Sequence, residues 1–139
     1  MPTKDFYHDA VKMALVGDGW TIVTEDYGLR LGSDRLYVDI AAEKPLMVER
    51  DNRQILVEVK SFLGRSFIFE LERAIGQYLL YRDILEETDT PFELYLAVPL
   101  GVYRDGFQRD LAKMAVRRNR INLVVFEPDR EEIVEWIQP

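Results

Sequence analysis

The chain has no cysteine and a single histidine. The first absence excludes disulfide staples, thiolate zinc sites and cysteine nucleophiles, and it fits a reducing cytoplasm, the expected location. The second leaves no Ser-His-Asp arrangement to defend, because His8 has no motif around it. No apolar run approaches the roughly 20 residues of a membrane span. Met1-Pro2-Thr3-Lys4-Asp5 lacks the apolar stretch of a signal peptide, so no membrane association is expected. Gly17-Asp18-Gly19 lacks the rest of either nucleotide-binding glycine pattern. Repeats, low-complexity tracts and linkers are also missing. Positive charge is in deficit: 18 basic residues face 25 acidic ones, a net charge of −7. That is awkward for a nucleic-acid protein, since phosphate affinity comes largely from Lys and Arg. One dense basic cluster remains, Lys113, Arg117, Arg118 and Arg120. It reads either as a phosphate contact or as a solvated helix end with cations near the C-terminal dipole.

What is present suits one domain over residues 1–139. Hydrophobic residues are 47% of the chain, and a chain of this size buries roughly two-thirds of its unfolded surface. Residues 5–16 read as a helix, with Asp5 as its cap and Phe6, Ala10, Met13 and Ala14 at helical spacing. Trp20 to Thr24 is a short β-branched strand, followed by a polar, glycine-containing segment through Asp34. Leu36 to Ala42 is a second strand, limited by Pro45. Met47, Val48 and Glu49 either continue pairing or form a loop, and Asp51-Asn52-Arg53 is a turn signal. Gln54 to Lys60 is a third strand. A long helix spans Phe67 to Glu87, with Leu71, Ala74, Ile75, Tyr78, Tyr81, Arg82 and Leu85 along one side. Phe92–Val98 is a strand. Arg104–Asn119 is a helix with Phe107, Leu111, Met114 and Ala115 as its stripe. Asn122–Phe126 is a strand, and Ile133–Ile137 a last one. The order α-β-β-β-α-β-α-β, with a closing strand, predicts an α/β fold: a mixed central sheet flanked by helices.

Chemistry concentrates at two strand ends. Glu58 and Lys60 are two apart, so both leave one face of their strand, while Ile55, Val57 and Val59 anchor the other. A charged pair in an otherwise apolar strand is costly unless paired or coordinated. An edge strand with a solvated polar face would carry the same residues. Asp39 interrupts the neighbouring apolar strand in the same way. If the two strands are adjacent, the Asp39 and Glu58 carboxylates can reach one ion. Hard oxygen ligands suit Mg²⁺ or Mn²⁺. Such an ion lowers the pKa of a bound water and stabilises charge on a phosphate. Lys60 would orient or deprotonate the attacking water, or neutralise the phosphate. Weaker candidates are His8, Glu70 on the long helix, and Glu25 and Asp26 after the first strand.

Asp39, eighteen intervening residues, then Glu58-Val59-Lys60, with these strands and helices around them, resembles the PD-(D/E)xK nuclease superfamily. Val38 stands where that pattern often has proline. Gln77 followed by Tyr81 resembles the Gln-x-x-x-Tyr element of its exonuclease-like branches. Val59-Lys60-Ser61-Phe62, Ala74-Ile75-Gly76-Gln77-Tyr78, His8 and Asp18-Gly19-Trp20 resemble, more narrowly, the XisH family. That family takes its name from an excision-controlling factor of a cyanobacterial DNA element. The resemblance covers nearly the whole chain and implies a restriction-endonuclease-like core. It implies Asp39 and Glu58 as metal ligands, the Val59 carbonyl as a further ligand, Lys60 as the catalytic lysine and Gln77 facing the site. The expected function is Mg²⁺-dependent action on DNA during excision or rearrangement of a DNA element. The alternative is a catalytically inactive, nuclease-fold accessory factor working through a protein partner, such as a small cognate excision factor, in site-specific recombination. A homodimer fits either, with the aromatic side of the 67–87 helix and the Trp136 segment as contact surfaces.

Overall fold

A computed structural model describes residues 4–45 and 52–139. Within them the chain forms α1 (His8–Gly17), β1 (Thr21–Leu31), β2 (Asp34–Pro45), β3 (Asn52–Val59) and α2 (Phe67–Glu87). There follow β4 (Glu93–Pro99), α3 (Leu100–Asp105), a 3₁₀ turn (Gly106–Gln108), α4 (Asp110–Asn119), β5 (Leu123–Glu127) and β6 (Glu132–Ile137). The expected element order holds, and the closing strand is real.

All six strands make one sheet in sequential order, β1-β2-β3-β4-β5-β6. β1, β2 and β3 are antiparallel to one another, β3, β4 and β5 run parallel, and β6 returns antiparallel. The parallel steps are those bridged by helices, as crossovers require. One face packs Val11 and Leu15 of α1 against Ile40, Ile55, Val57, Tyr95 and Val124. The other packs Leu71, Ala74, Tyr78, Tyr81 and Leu85 of α2, with Phe107 and Ala112, against Leu56, Leu94, Leu96 and Val125. The result is the anticipated mixed sheet between helical layers.

Several expectations change. The segment after Thr24 is not irregular: β1 runs on to Leu31, because it pairs with β2 from Glu25↔Ile40 to Leu31↔Asp34. Gly32, at φ +62°, and Ser33 close this hairpin. Glu25 and Asp26 therefore lie within a strand. The inward face of α1 is His8, Val11, Ala14 and Leu15, whereas Phe6 is 76% and Met13 49% exposed. The alternative face won because Val11 and Leu15 meet the sheet. The helix expected over 104–119 starts at Leu100 and breaks in two, since Arg109 is extended at ψ 146°. Gly106 lies against the Phe67 ring with no room for a side chain. Leu111 and Met114 then face solvent, while Ala112 and Val116 turn inward. β3 begins at Asn52, so Asn52 and Arg53 are strand and not turn; the Arg53 guanidinium is held by Glu93 at 2.7 Å. The remaining readings at 46–51 lie outside the described residues. Tyr78 and Tyr81, on the aromatic side of α2, are buried against the sheet. Trp136 packs on Trp20 and Tyr95 with ring centroids 5.6 and 5.0 Å apart.

Candidate functional site

β3 is an interior strand, and Glu58 is only 5% exposed. The solvated edge-strand reading of Glu58 and Lys60 is thereby excluded. Pairing between β2 and β3 runs from Pro45↔Asn52 to Ile40↔Val57 and then stops. Asp39 and Glu58 stand at the point where the strands part. Side chains replace the missing ladder there. Asp39 Oδ2 accepts the Val59 N–H at 2.7 Å, and the Asp39 N–H donates to Glu58 Oε1 at 3.3 Å. Each carboxyl group is close enough to the other to shift its ionisation.

Two more groups converge. The Tyr81 hydroxyl, from the inward face of α2, lies 3.3 Å from Glu58 Oε2 and 3.1 Å from the Tyr37 carbonyl. Lys60 Nζ is 3.7 Å from Glu58 Oε2 and is about a quarter exposed. The Lys60 N–H donates to the Ala97 carbonyl on the β4 side. Val59 therefore directs both its amide and its carbonyl to the other side, toward Asp39, because the two groups of one strand residue point together. Gln77 lies one turn before Tyr81 on α2, and its Oε1 is buried without a partner. An orphaned buried acceptor is rare and calls for a donor or a cation.

The electrostatics follow from the burial. Loss of water pushes the Glu58 carboxyl up to about 8, reinforced by the Asp39 charge and opposed by Lys60. Burial also raises Asp39, against the lowering effect of the Val59 N–H and of Glu58. Burial raises the Tyr81 hydroxyl as well, with the Glu58 and Asp39 charges adding to it. The buried Glu58 carboxyl and the half-buried Asp39 carboxyl, each resisting ionisation in its setting, are hard oxygen donors of the kind that suit Mg²⁺ or Mn²⁺.

The other candidates separate. His8 is buried, with Nε2 2.7 Å from Glu25 Oε1 and Nδ1 buried without a partner. Glu25 is held below the usual carboxylate range by that bond and by Lys12. His8, Asp9 and Glu25 bring ligand-type atoms within 4.8 Å of one another, but Lys4 and Lys12 already pair with the two carboxylates. Glu70 accepts the Gly64 N–H at 3.1 Å and so shapes the loop after Lys60. Asp26 sits at positive φ within β1. Tyr81 stood out in the sequence as the tyrosine of the Gln-x-x-x-Tyr element but carried no site role there; its contact with Glu58 supplies one. Asp5 is an omission. Its Oδ2 accepts both the N–H and the hydroxyl of Ser61, at 3.1 and 3.2 Å, and ties the start of α1 to the loop after Lys60. Asp5, Lys60, Ser61, Phe62, Glu70 and Arg73 line a cavity of about 190 Å³.

The fold and this cluster define a class: a mixed α/β domain carrying an adjacent Asp-Glu pair, its glutamate buried, and a lysine where two central strands separate. The family model described as XisH protein matches residues 1–134. The chain belongs to the XisH family. It is similar to the solved structure of an XisH family protein from Nostoc punctiforme PCC 73102. Identity is 38% over 96% of this chain and 100% of that one, with a TM-score of 0.85. It is equally similar to an FdxN element excision controlling factor protein from Anabaena variabilis. There, identity is 38% over 97% of this chain and 100% of that one, again with a TM-score of 0.85. No curated protein matches the chain. Among the described residues no helix is long and apolar enough to cross a membrane.

Proposed function

We propose that this XisH protein is a PD-(D/E)xK-type, metal-dependent phosphodiester hydrolase acting on DNA during excision of a DNA element. One observation carries the reading: Glu58, on an interior strand, is buried against Asp39 under a charge conflict that a divalent cation resolves. Asp39, Glu58 and the Val59 carbonyl would hold Mg²⁺ or Mn²⁺. When bound, the ion supplies Lewis-acid stabilisation of a phosphate and a more acidic water. The rest is done by the chain. Val59 N–H fixes the Asp39 carboxylate, and Tyr81 fixes Glu58. Lys60, partly exposed at the mouth of the site, orients the attacking water or neutralises charge on the phosphate. Gln77 presents its free amide oxygen from α2 as a further water or ligand anchor. Support for the DNA role comes from the excision-factor name of the Anabaena variabilis relative.

The test is nicking of supercoiled DNA by the purified protein with Mg²⁺ or Mn²⁺. Cleavage by the wild type and its loss in Asp39→Ala and Lys60→Ala are expected. Equal cleavage by the variants would overturn the assignment. The net charge of −7 favours a second reading. In it the domain is an accessory factor whose DNA affinity is supplied by a partner protein, such as a small cognate excision factor. A stable partner in pull-downs, with no cleavage over a wide substrate panel, would select it.

A further inference from the structure

The β1–β2 hairpin extends beyond the last β2–β3 pair, Ile40↔Val57. Its two faces differ. Leu29 and Val38 are buried, with Tyr27 and Leu36 packed against the same core. The opposite face carries Gly28, Arg30, Arg35 and Tyr37, by the alternation of a paired ribbon. Arg30 and Arg35 are direct cross-strand partners, and both are exposed. Like charges directly opposite one another destabilise a ribbon. Among the described residues no carboxylate lies within ion-pair distance of either guanidinium, although the chain has 25 acidic residues.

Arg35 is nevertheless ordered by packing. Its guanidinium carbon lies 6.0 Å from the centre of the Tyr37 ring. It also lies across Gly28, where an added Cβ would come within 3.1 Å of its Nε. A glycine opposite a tyrosine therefore makes a seat for one arginine beside another. The Tyr37 carbonyl accepts from Tyr81, which also reaches Glu58. The arginine pair is thus carried by the hairpin whose second strand, β2, leads into the Asp39–Glu58 site.

We infer that the outer face of this hairpin, Arg30 and Arg35 braced by Gly28 and Tyr37, grips the phosphate backbone of duplex DNA. The inference rests on reading the neighbouring site as one that acts on DNA. It answers the problem of the acidic net charge: the electrostatic contact is local, on a ribbon narrow enough for a DNA groove, and the rest of the surface need not be basic. The unrelieved repulsion between the two guanidiniums is relieved when they share a polyanion.

The test is fluorescence anisotropy of a labelled duplex oligonucleotide with wild type, Arg30→Gln and the Arg30→Gln/Arg35→Gln double variant, in EDTA, from about 50 to about 200 mM salt. The double variant is expected to lose at least about tenfold in affinity, and its log–log salt slope is expected to flatten by about 2, one per lost phosphate contact. Arg30→Gln alone should unfold at the same or a higher temperature, since it removes a repulsion; a structural role would lower it. Unchanged affinity and slope in the double variant, or no duplex binding by the wild type at low salt, overturns the inference. So does displacement of the duplex by polyglutamate at equal charge concentration, which would make the pair a general polyanion contact. Mn²⁺ titration of the same proteins separates the two readings: a failure to bind Mn²⁺ counts against the Asp39–Glu58 site and leaves the hairpin result standing.

Discussion

Replacing Glu58 by glutamine should make the metal-free protein more stable at alkaline pH. The folded protein holds the Glu58 carboxyl at about 8, against 4.5 for the free group. A raised carboxyl means that the folded state binds the proton more tightly than the unfolded state does. Its contribution is therefore fully present below about pH 4.5 and is lost as the pH climbs through the folded value near 8. At about 1.4 kcal/mol per pH unit, the interval corresponds to ~5 kcal/mol as an upper bound, since Asp39 titrates with it. The substituted amide keeps the shape of the side chain, carries no charge, and can donate to Asp39. Urea denaturation in EDTA, followed by the fluorescence of Trp20 and Trp136, measures this at pH 5, 7 and 9. The wild type should lose stability across that range by several kcal/mol more than Glu58→Gln does. Mg²⁺ at pH 8 should restore the wild type and leave the variant unchanged, because only a ligand bound by the native state stabilises it. Parallel pH profiles for the two proteins would refute the buried charge conflict.

Two further substitutions test the frame around the site. Tyr81→Phe removes the hydroxyl shared by Glu58 and the Tyr37 carbonyl. It should cost about 1–3 kcal/mol in urea denaturation, and loss below a few tenths would show that this contact is unimportant. Gly106→Ala drives a methyl into the Phe67 ring at the start of α2. Overpacking there should cost about 1–3 kcal/mol and lower the melting temperature, whereas an unchanged melting curve would mean that the α2–3₁₀ contact yields freely.

Long-range consequences explain what the sequence did and did not disclose. α2 was legible end to end, because Ser66 caps it by accepting the Phe69 N–H at 3.1 Å and its apolar repeat matches its buried side. The β3 alternation also read correctly: Ile55, Val57 and Val59 face α1, and Leu56 faces α2. β1 did not, since Glu25 to Asp34 is polar and holds two glycines; only pairing with β2 makes it a strand. The face of α1 was ambiguous because two helical repeats coexist. The one that wins buries His8, a polar residue admitted through its bond to Glu25 from a different element. At the site, the adjacency of Asp39 and Glu58 followed from consecutive strands. The contribution of Tyr81 did not, because it depends on how α2 crosses the sheet. The clip between Asp5 and Ser61 spans most of the first half of the chain and leaves no local signal.

Binding of one divalent cation by Asp39 and Glu58 together can be seen by anomalous diffraction from crystals grown with Mn²⁺. A manganese peak is expected about 2.1 Å from oxygens of Asp39 and Glu58 and from the Val59 carbonyl. No peak there, or a peak only at His8, Asp9 and Glu25, would contradict it.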